Sequence, residues 1–208
     1  MSRQPHQSEP DLLVLHTARL AGFSSLSRLA GLVGEDESIV ESELIDLGRS
    51  GLVYFTPGQF GGWGLTDEGR ATSAARITRE LDDSGSRAVV TRAGAEFLEL
   101  NPGLLRVCTD WQLRSIGGSS QLNDHSDHRY DARVLGRLNE IDRRAQPLCA
   151  RLAASLARFG GYGGRLSSAL DRALAGDSAS VADGMDSYHA VWFTLHEDLL
   201  TTLGTPRW

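Results

Sequence analysis

Apolar residues in the first fifty positions recur at helical spacing in three short segments, over about residues 11–21, 25–33 and 36–48. Ser24 and Ser25 stand where they can cap the second segment, and Gly34 follows its last apolar residues. The third segment carries one apolar face at positions i, i+4 and i+7, formed by Val40, Leu44 and Leu47. The pattern predicts three consecutive helices, the third of which buries one face.

After the third segment the pattern becomes typical of a β-hairpin. Leu52–Phe55 predicts a strand, residues 57–64 predict a glycine-rich turn, and Trp63–Thr66 predicts the returning strand. Thr66 or Asp67 then caps a linker helix that extends to about Asp82. The first third of the chain therefore predicts three helices, a hairpin and a further helix, in that order.

The residues around this hairpin match a known pattern: Leu44-Ile-Asp-Leu-Gly-Arg-Ser-Gly-Leu-Val and, after the turn, Leu65-Thr-Asp-Glu-Gly-Arg70. The pattern resembles the wing region of MarR-type and PadR-type bacterial transcription regulators, over roughly residues 11–75. The resemblance implies a winged helix-turn-helix, in which residues 37–47 enter the major groove of DNA and the turn at residues 57–64 lies near the DNA backbone. It also implies a regulator that binds DNA as a dimer.

The distribution of charge conflicts with DNA binding. Residues 1–75 contain five arginines and ten acidic residues, so nearly all of the net charge of −6 lies in the part that would bind DNA. Phosphate contacts normally need a basic group or a backbone donor, and no arginine lies between Leu52 and Leu65. The surface suits a protein partner at least as well as a nucleic acid.

The outward face of the third helix therefore leaves two kinds of partner open. Helical spacing places four residues outward, flanked by Glu41 and Asp46: Ser38, Ser42, Ile45 and Arg49. If the partner is DNA, the base-facing residues are Ser38, Ser42 and Arg49. If the partner is a protein, the contact patch is formed by Ile45, Phe60 and Trp63, and the acidic residues give specificity for a basic surface.

Length and composition set the remaining bounds. The 208 residues, 40% of them hydrophobic, are enough for one large or two small folded domains. There is no apolar run of about 18 residues and no signal-peptide core, so we expect a cytoplasmic chain without a membrane span. Cys108 and Cys149 lie in apolar helical contexts and are interpreted as buried thiols, with a redox pair as the alternative.

Residues 83–208 predict an α-helical bundle domain that dimerises or senses a ligand. Asn101-Pro102 predicts the start of a helix, and residues 117–127 predict a polar loop. The longest periodic segment has apolar residues that alternate by four and three: Val134, Leu138, Ile141, Ala145, Leu148 and Leu152. The last helix, over about residues 186–203, carries apolar groups on more than one side, which predicts central burial.

A polar cluster at residues 123–131 is a candidate metal site. If this segment is helical, three carboxylates share one face and two histidines share a neighbouring one: Asp124, Asp127 and Asp131, with His125 and His128. A solvated helix start, with acids near its positive end, explains the same residues. We predict no metal here and keep a metal-dependent enzyme as the third hypothesis for the chain.

A second cluster lies in the last predicted helix, where His189 and His196 are seven residues apart and Tyr188 precedes them. Histidines on an apolar face are usually core residues with a satisfied hydrogen bond. The alternative is a small-molecule pocket lined by these three side chains together with Trp111 and Trp192.

Motifs of the common catalytic classes are missing from the sequence, including phosphate-binding loops, zinc-protease motifs and nucleophile elbows. We therefore predict a protein without catalytic activity, cofactor or metal, divided into a disordered N-terminus (residues 1–10), a winged helix with its linker helix (11–82) and the helical domain (83–208). The leading interpretation is a DNA-binding, dimeric transcription regulator. The alternative is an adaptor whose acidic winged helix binds a protein.

Overall fold

The computed structural model describes residues 4–205 and is mainly helical, as the sequence predicts, with 70% helix. Within those residues there are nine α-helices and two two-stranded hairpins. The helices are α1 (Pro10–Ala21), α2 (Leu26–Val33), α3 (Glu37–Arg49), α4 (Asp67–Asp83), α5 (Arg87–Gln112), α6 (His128–Ser155), α7 (Gly161–Leu174), α8 (Ala179–Ala182) and α9 (Tyr188–Leu203). The hairpins pair β1 (Val53–Thr56) with β2 (Gly62–Leu65) and β3 (Leu113–Ile116) with β4 (Ser119–Leu122).

The chain forms two compact units whose limits differ from the expected division at residue 82. Unit 1 consists of Met1–Thr91, Ala153–Arg158 and Glu197–Trp208, and unit 2 consists of Arg92–Leu152 and Phe159–His196. The last residues of α6 and of α9 therefore belong to unit 1. Hydrophobic spacing is a local signal, so it could not show that two distant segments return to the first unit.

Unit 1 is built on an apolar core shared by α1, α2, α3 and the β1–β2 hairpin. Val40, Leu44 and Leu47 are all buried, which confirms the predicted inward face of α3. The hydroxyl of Ser25 accepts a hydrogen bond from the amide of Arg28, and Gly34 ends α2 in the left-handed conformation. The outer face of α3 is thereby held by packing on its opposite side.

The β1–β2 hairpin is joined to α4 at Leu52. Val53 pairs with Leu65, and both are buried in the core of unit 1. The Thr66 hydroxyl caps α4 by accepting from the amide of Gly69, while the Thr66 amide donates to the Leu52 carbonyl oxygen at 3.1 Å. A Cβ atom at Gly69 would lie 1.9 Å from that same oxygen, so this close approach requires glycine.

The described N-terminal residues correct one expectation. The sequence predicts disorder over residues 1–10, but residues 4–9 follow a defined path and α1 begins at Pro10. The His6 amide donates to the Ser155 carbonyl at 3.0 Å, and the His6 carbonyl accepts from the Ala157 amide at 2.9 Å. Residues 1–3 lie outside the described residues. The partner segment is distant in sequence, so local composition carries no sign of this pairing.

A buried charged network lies within unit 1. The Arg158 side chain, 2% exposed, donates to Asp198 Oδ1 at 2.5 Å and to Glu80 Oε2 at 3.1 Å. It also donates to the Thr202 hydroxyl at 2.8 Å. His16 Nε2 lies 2.9 Å from the same Asp198 oxygen. The network joins α1, α4, the segment after α6 and the end of α9.

Unit 2 differs from the prediction in two places. Helix α5 continues through Asn101 and Pro102, where the sequence predicts a new helix. Pro102 is exposed, so water can satisfy the carbonyl group that loses its intrahelical donor. Part of the expected polar loop forms the β3–β4 hairpin, which turns at Gly117 and Gly118, both with positive φ.

The long periodic segment forms α6, and its six spaced apolar residues are all buried, as the heptad-like pattern predicts. In α9 the prediction of burial on more than one side holds only in part. Trp192 and Leu195 are buried, but Phe193 is about half exposed. An apolar residue on a helix therefore need not face the core, since much of any protein surface is apolar.

Candidate functional site

The outer face of α3 holds the residues predicted to face DNA. Ser38, Ser42 and Arg49 are all exposed. The Arg49 guanidinium lies 2.6 Å from a carboxylate oxygen of Asp46, one turn earlier, and both side chains are largely exposed. Such a pair contributes little stability, but it places a negative charge beside the arginine that would read a base.

Carboxylates surround these three residues. The exposed ones, in and just before α3, are Glu35, Asp36, Glu37, Glu41 and Asp46. Exposed charges act over a screening length of about 10 Å at moderate salt, so the group acts together on a partner. This face repels a phosphate backbone and attracts a positively charged surface.

An apolar patch adjoins the same helix. The rings of Phe55 and Trp63 face each other across the β1–β2 hairpin, with centroids 5.1 Å apart. Trp63 also reaches α3, because a Cβ atom on Gly48 would lie 3.9 Å from its ring. Ile45, one turn before Gly48, is 42% exposed. We call Ile45, Phe55 and Trp63 the aromatic patch.

Phe60, the third residue of the predicted contact patch, lies in the turn between β1 and β2 and is 88% exposed. The structure therefore places Trp63 against Gly48 of α3, one helical turn from Ile45, and leaves Phe60 at the tip of the hairpin. Sequence reasoning missed Phe55, together with the exposed Phe23 and Tyr54. The signal was available, since apolar residues stand on both faces of a strand that has only one face to bury.

In unit 2, side chains proposed to line a small-molecule pocket pack against other side chains of the unit. Tyr188, Trp192 and Trp111 are buried, while His189 and His196 are partly exposed. Phe97 stacks against both Trp192, at 4.3 Å, and His196, at 5.1 Å. These contacts are typical of a packed aromatic core.

The polar atoms of the same aromatic residues also have partners within unit 2. Trp192 donates to the Asn101 side chain at 3.0 Å, and Trp111 donates to the Ser178 carbonyl at 3.0 Å. The Tyr188 hydroxyl donates to Asp142 at 3.2 Å. Burial, reinforced by the Asp142 carboxylate, raises the pKa of Tyr188 far above its ordinary value, so this phenol stays protonated.

The segment proposed as a metal site is not the helix that the metal hypothesis assumed. Residues up to Asp127 precede α6, so Asp124, Asp127 and Asp131 do not share a helical face. Asp127 instead accepts from the Tyr130 amide at 3.0 Å and from Arg114 at 2.8 Å. Over the described range, residues 4–205, no group of three or more His, Cys, Asp or Glu side chains is placed to hold a metal ion.

What the structure does bring together in this segment is Asn123, His125 and Asp131. His125 Nδ1 lies 3.0 Å from one oxygen of Asp131, and the Asn123 amide nitrogen lies 2.8 Å from the other. The metal hypothesis involved His125 and Asp131 but not Asn123. It did not predict this arrangement, because it assumed that the segment is one helix. The structure therefore holds a histidine–carboxylate pair in place of a metal cluster.

The two cysteines are buried, and desolvation raises the pKa of both Cys108 and Cys149 to about 11. Both are therefore thiols at neutral pH, which lowers their reactivity. No helix in the part of the chain that the structure describes is long and apolar enough to cross a membrane.

Comparison with known proteins gives no relative: no family model, no curated protein and no solved structure matches this chain. The features that bear on function are therefore the surface of α3 and the β1–β2 hairpin and the polar groups of unit 2.

Proposed function

We propose that unit 1 is a winged helix-turn-helix and that it acts as a non-catalytic, regulator-like module, which binds a macromolecule through α3 and the β1–β2 hairpin. The order of elements and the resemblance at residues 44–53 and 65–70 support the winged helix. Unit 2 is then the part that dimerises or senses a ligand.

The partner that the surface fits best is a protein with a basic face. The observation that carries this choice is the aromatic patch beside the carboxylates of α3: Ile45 and Phe55 are exposed where a DNA-binding surface needs cations. Aromatic residues are enriched at the centre of protein interfaces, and complementary charge steers association. The winged helix then serves as an adaptor.

DNA is the second candidate partner, and a separate observation favours it. Ser38, Ser42 and Arg49 are exposed on the side of α3 opposite its buried face, where a recognition helix carries its base-reading residues. Two copies of the chain, paired through unit 2, would then place two recognition helices on one DNA site.

Two matched pairs of variants separate the partners. Ile45→Arg disrupts the aromatic patch, and Leu98→Arg makes the same change at an exposed leucine of α5, in unit 2. Arg49→Ala removes the base-facing cation, and Arg79→Ala removes an exposed arginine of α4. We expect Ile45→Arg alone to abolish the salt-sensitive capture of a basic protein from the native cytosol.

The same four variants are then tested in mobility shifts at low salt on the DNA upstream of the chain's own gene. A shift that Arg49→Ala abolishes and Arg79→Ala preserves would replace the adaptor by the DNA-binding regulator. If Ile45→Arg and Leu98→Arg capture the same proteins as the wild type, the adaptor is rejected.

A further inference from the structure

His125 is held in an unusual way in unit 2. Among the described residues it is the one non-glycine residue with a positive φ, at 58°. This backbone conformation is unfavourable for a side chain with a Cβ atom and persists only where the surroundings enforce it. The loop between β4 and α6 therefore fixes the position of this imidazole.

The hydrogen bonds around His125 define which ring nitrogen carries the proton. The Asn123 amide nitrogen lies 3.0 Å from the Trp111 carbonyl, 2.8 Å from Asp131 Oδ1 and 3.2 Å from His125 Nδ1. Its two N–H groups are taken up by the two shorter contacts, so it does not need Nδ1 as an acceptor. Asp131 Oδ2 lies 3.0 Å from His125 Nδ1. A carboxylate can only accept, so Nδ1 carries the hydrogen and Nε2 carries the lone pair in the neutral ring.

The ring is also held from one face. The centroids of His125 and Trp111 are 4.5 Å apart, and Trp111 is itself fixed by its hydrogen bond to Ser178. Asp131 occupies the Nδ1 edge, and 33% of the His125 side chain remains exposed. Within residues 4–205, Nε2 has no hydrogen-bond partner. The free edge of the ring is therefore the one that bears the lone pair.

We propose that His125 is a nucleophilic site that accepts acyl groups from activated esters, with Asp131 and Asn123 as positioning residues. A histidine whose one nitrogen donates to a carboxylate and whose other nitrogen is accessible is arranged for attack on a carbonyl carbon. This proposal concerns unit 2 and is independent of the adaptor function of unit 1.

The chemical step balances with water as the only co-reactant. Nε2 attacks the ester carbonyl, the bond to the leaving oxygen breaks, and the alkoxide or phenolate departs with that electron pair. The Nδ1 proton passes to Asp131 or to solvent, which leaves a neutral acylimidazole. Water then attacks the acyl carbon, releases the carboxylic acid and restores the ring with its proton on Nδ1.

The test uses the full chain with p-nitrophenyl acetate, and the measured quantity is the rate of nitrophenolate release at neutral pH. We expect His125→Gln to lower the rate about tenfold, to the level of a protein without the site. His128→Gln, which removes an exposed histidine three residues later, should leave the rate unchanged. Equal rates for the wild type and His125→Gln would overturn the proposal.

Asp131→Asn separates positioning from a purely structural role. Its amide can donate to Nδ1, which moves the imidazole proton to Nε2 and removes the lone pair from the accessible edge. We expect the ester rate to fall, the ring-nitrogen NMR shifts of His125 to report the Nε2–H form, and the circular dichroism spectrum to stay native. A native spectrum together with an unchanged ester rate would show that Asp131 has no such role.

Discussion

The two units each contain a histidine paired with an aspartate, at almost the same distance and in different surroundings. In unit 1, His16 Nε2 lies 2.9 Å from Asp198, and both side chains are 2% exposed. In unit 2, His125 Nδ1 lies 3.0 Å from Asp131, with exposures of 33% and 12%. The first pair is enclosed on all sides, whereas the second leaves one nitrogen accessible. The contacts are alike, and the difference in solvent exposure separates their roles. The His16–Asp198 pair stabilises the fold, whereas the His125–Asp131 pair leaves a nitrogen available for reaction.

The enclosed pair belongs to a network whose charges depend on one another. Arg158 lies between the carboxylates of Asp198 and Glu80, all nearly inaccessible to solvent. A buried ion pair adds little stability compared with an apolar replacement of the whole group, but the loss of one member leaves a charge without compensation. Loss of one member of the His125–Asp131 pair in unit 2 does not have this consequence, because water can reach His125.

The largest effect is expected for Arg158→Met, which leaves two buried carboxylates without their cation. We expect a loss of about 3–5 kcal/mol in the free energy of unfolding, measured with urea. The matched control is Arg151→Met, which breaks the exposed pair with Glu96 and should cost about 1 kcal/mol or less. Equal losses in the two variants would contradict the distinction between enclosed and exposed pairs.

A smaller difference is expected between the two histidines themselves. His16→Gln removes a buried hydrogen bond to a carboxylate, and we expect it to cost about 2–3 kcal/mol. His125→Gln acts at a partly exposed ring and should cost about 1 kcal/mol or less. The measurement is the urea midpoint of each variant at pH 7. A larger loss for His125→Gln than for His16→Gln would contradict the distinction between the two pairs.

The pH dependence of stability gives a third, smaller effect. Burial holds the pKa of His16 below its ordinary value of 6.5, even though Asp198 favours the charged form. The unfolded chain therefore binds a proton that the folded chain excludes, and the stability from this group is lost as pH falls below about 6.5. We expect the urea midpoint of the wild type to decline between about pH 6.5 and 5, and His16→Gln to decline less over the same range.

Local features of the fold could be predicted from sequence, and long-range ones could not. The buried face of α3 and the cap at Ser25 follow from spacing and residue type within a few positions. The contact of His16 with Asp198 joins residues 182 positions apart, and no periodicity records it. The β3–β4 hairpin could have been predicted in part, because the Gly117-Gly118 pair is typical of a hairpin turn. It was missed because the whole domain was expected to be helical.

In the candidate sites, too, local features could be predicted from the sequence and long-range contacts could not. The exposure of Ile45 and Ser42 follows from the helical wheel of α3, because the buried face was identified correctly. The pairing of Phe55 with Trp63 depends on strand register, which the turn length alone did not fix. His125 was noticed in the sequence, but its partner could be identified only once the start of α6 was known.

One NMR measurement directly tests the difference between the His16–Asp198 and His125–Asp131 pairs. The ring-nitrogen shifts of both histidines, recorded on the wild-type chain at neutral pH, report which nitrogen carries the proton. His16 donates to Asp198 through Nε2 and His125 donates to Asp131 through Nδ1, so the two rings should be opposite tautomers. The His125 signal should also respond to added p-nitrophenyl acetate while the His16 signal stays constant. The same tautomer in both rings would contradict the account.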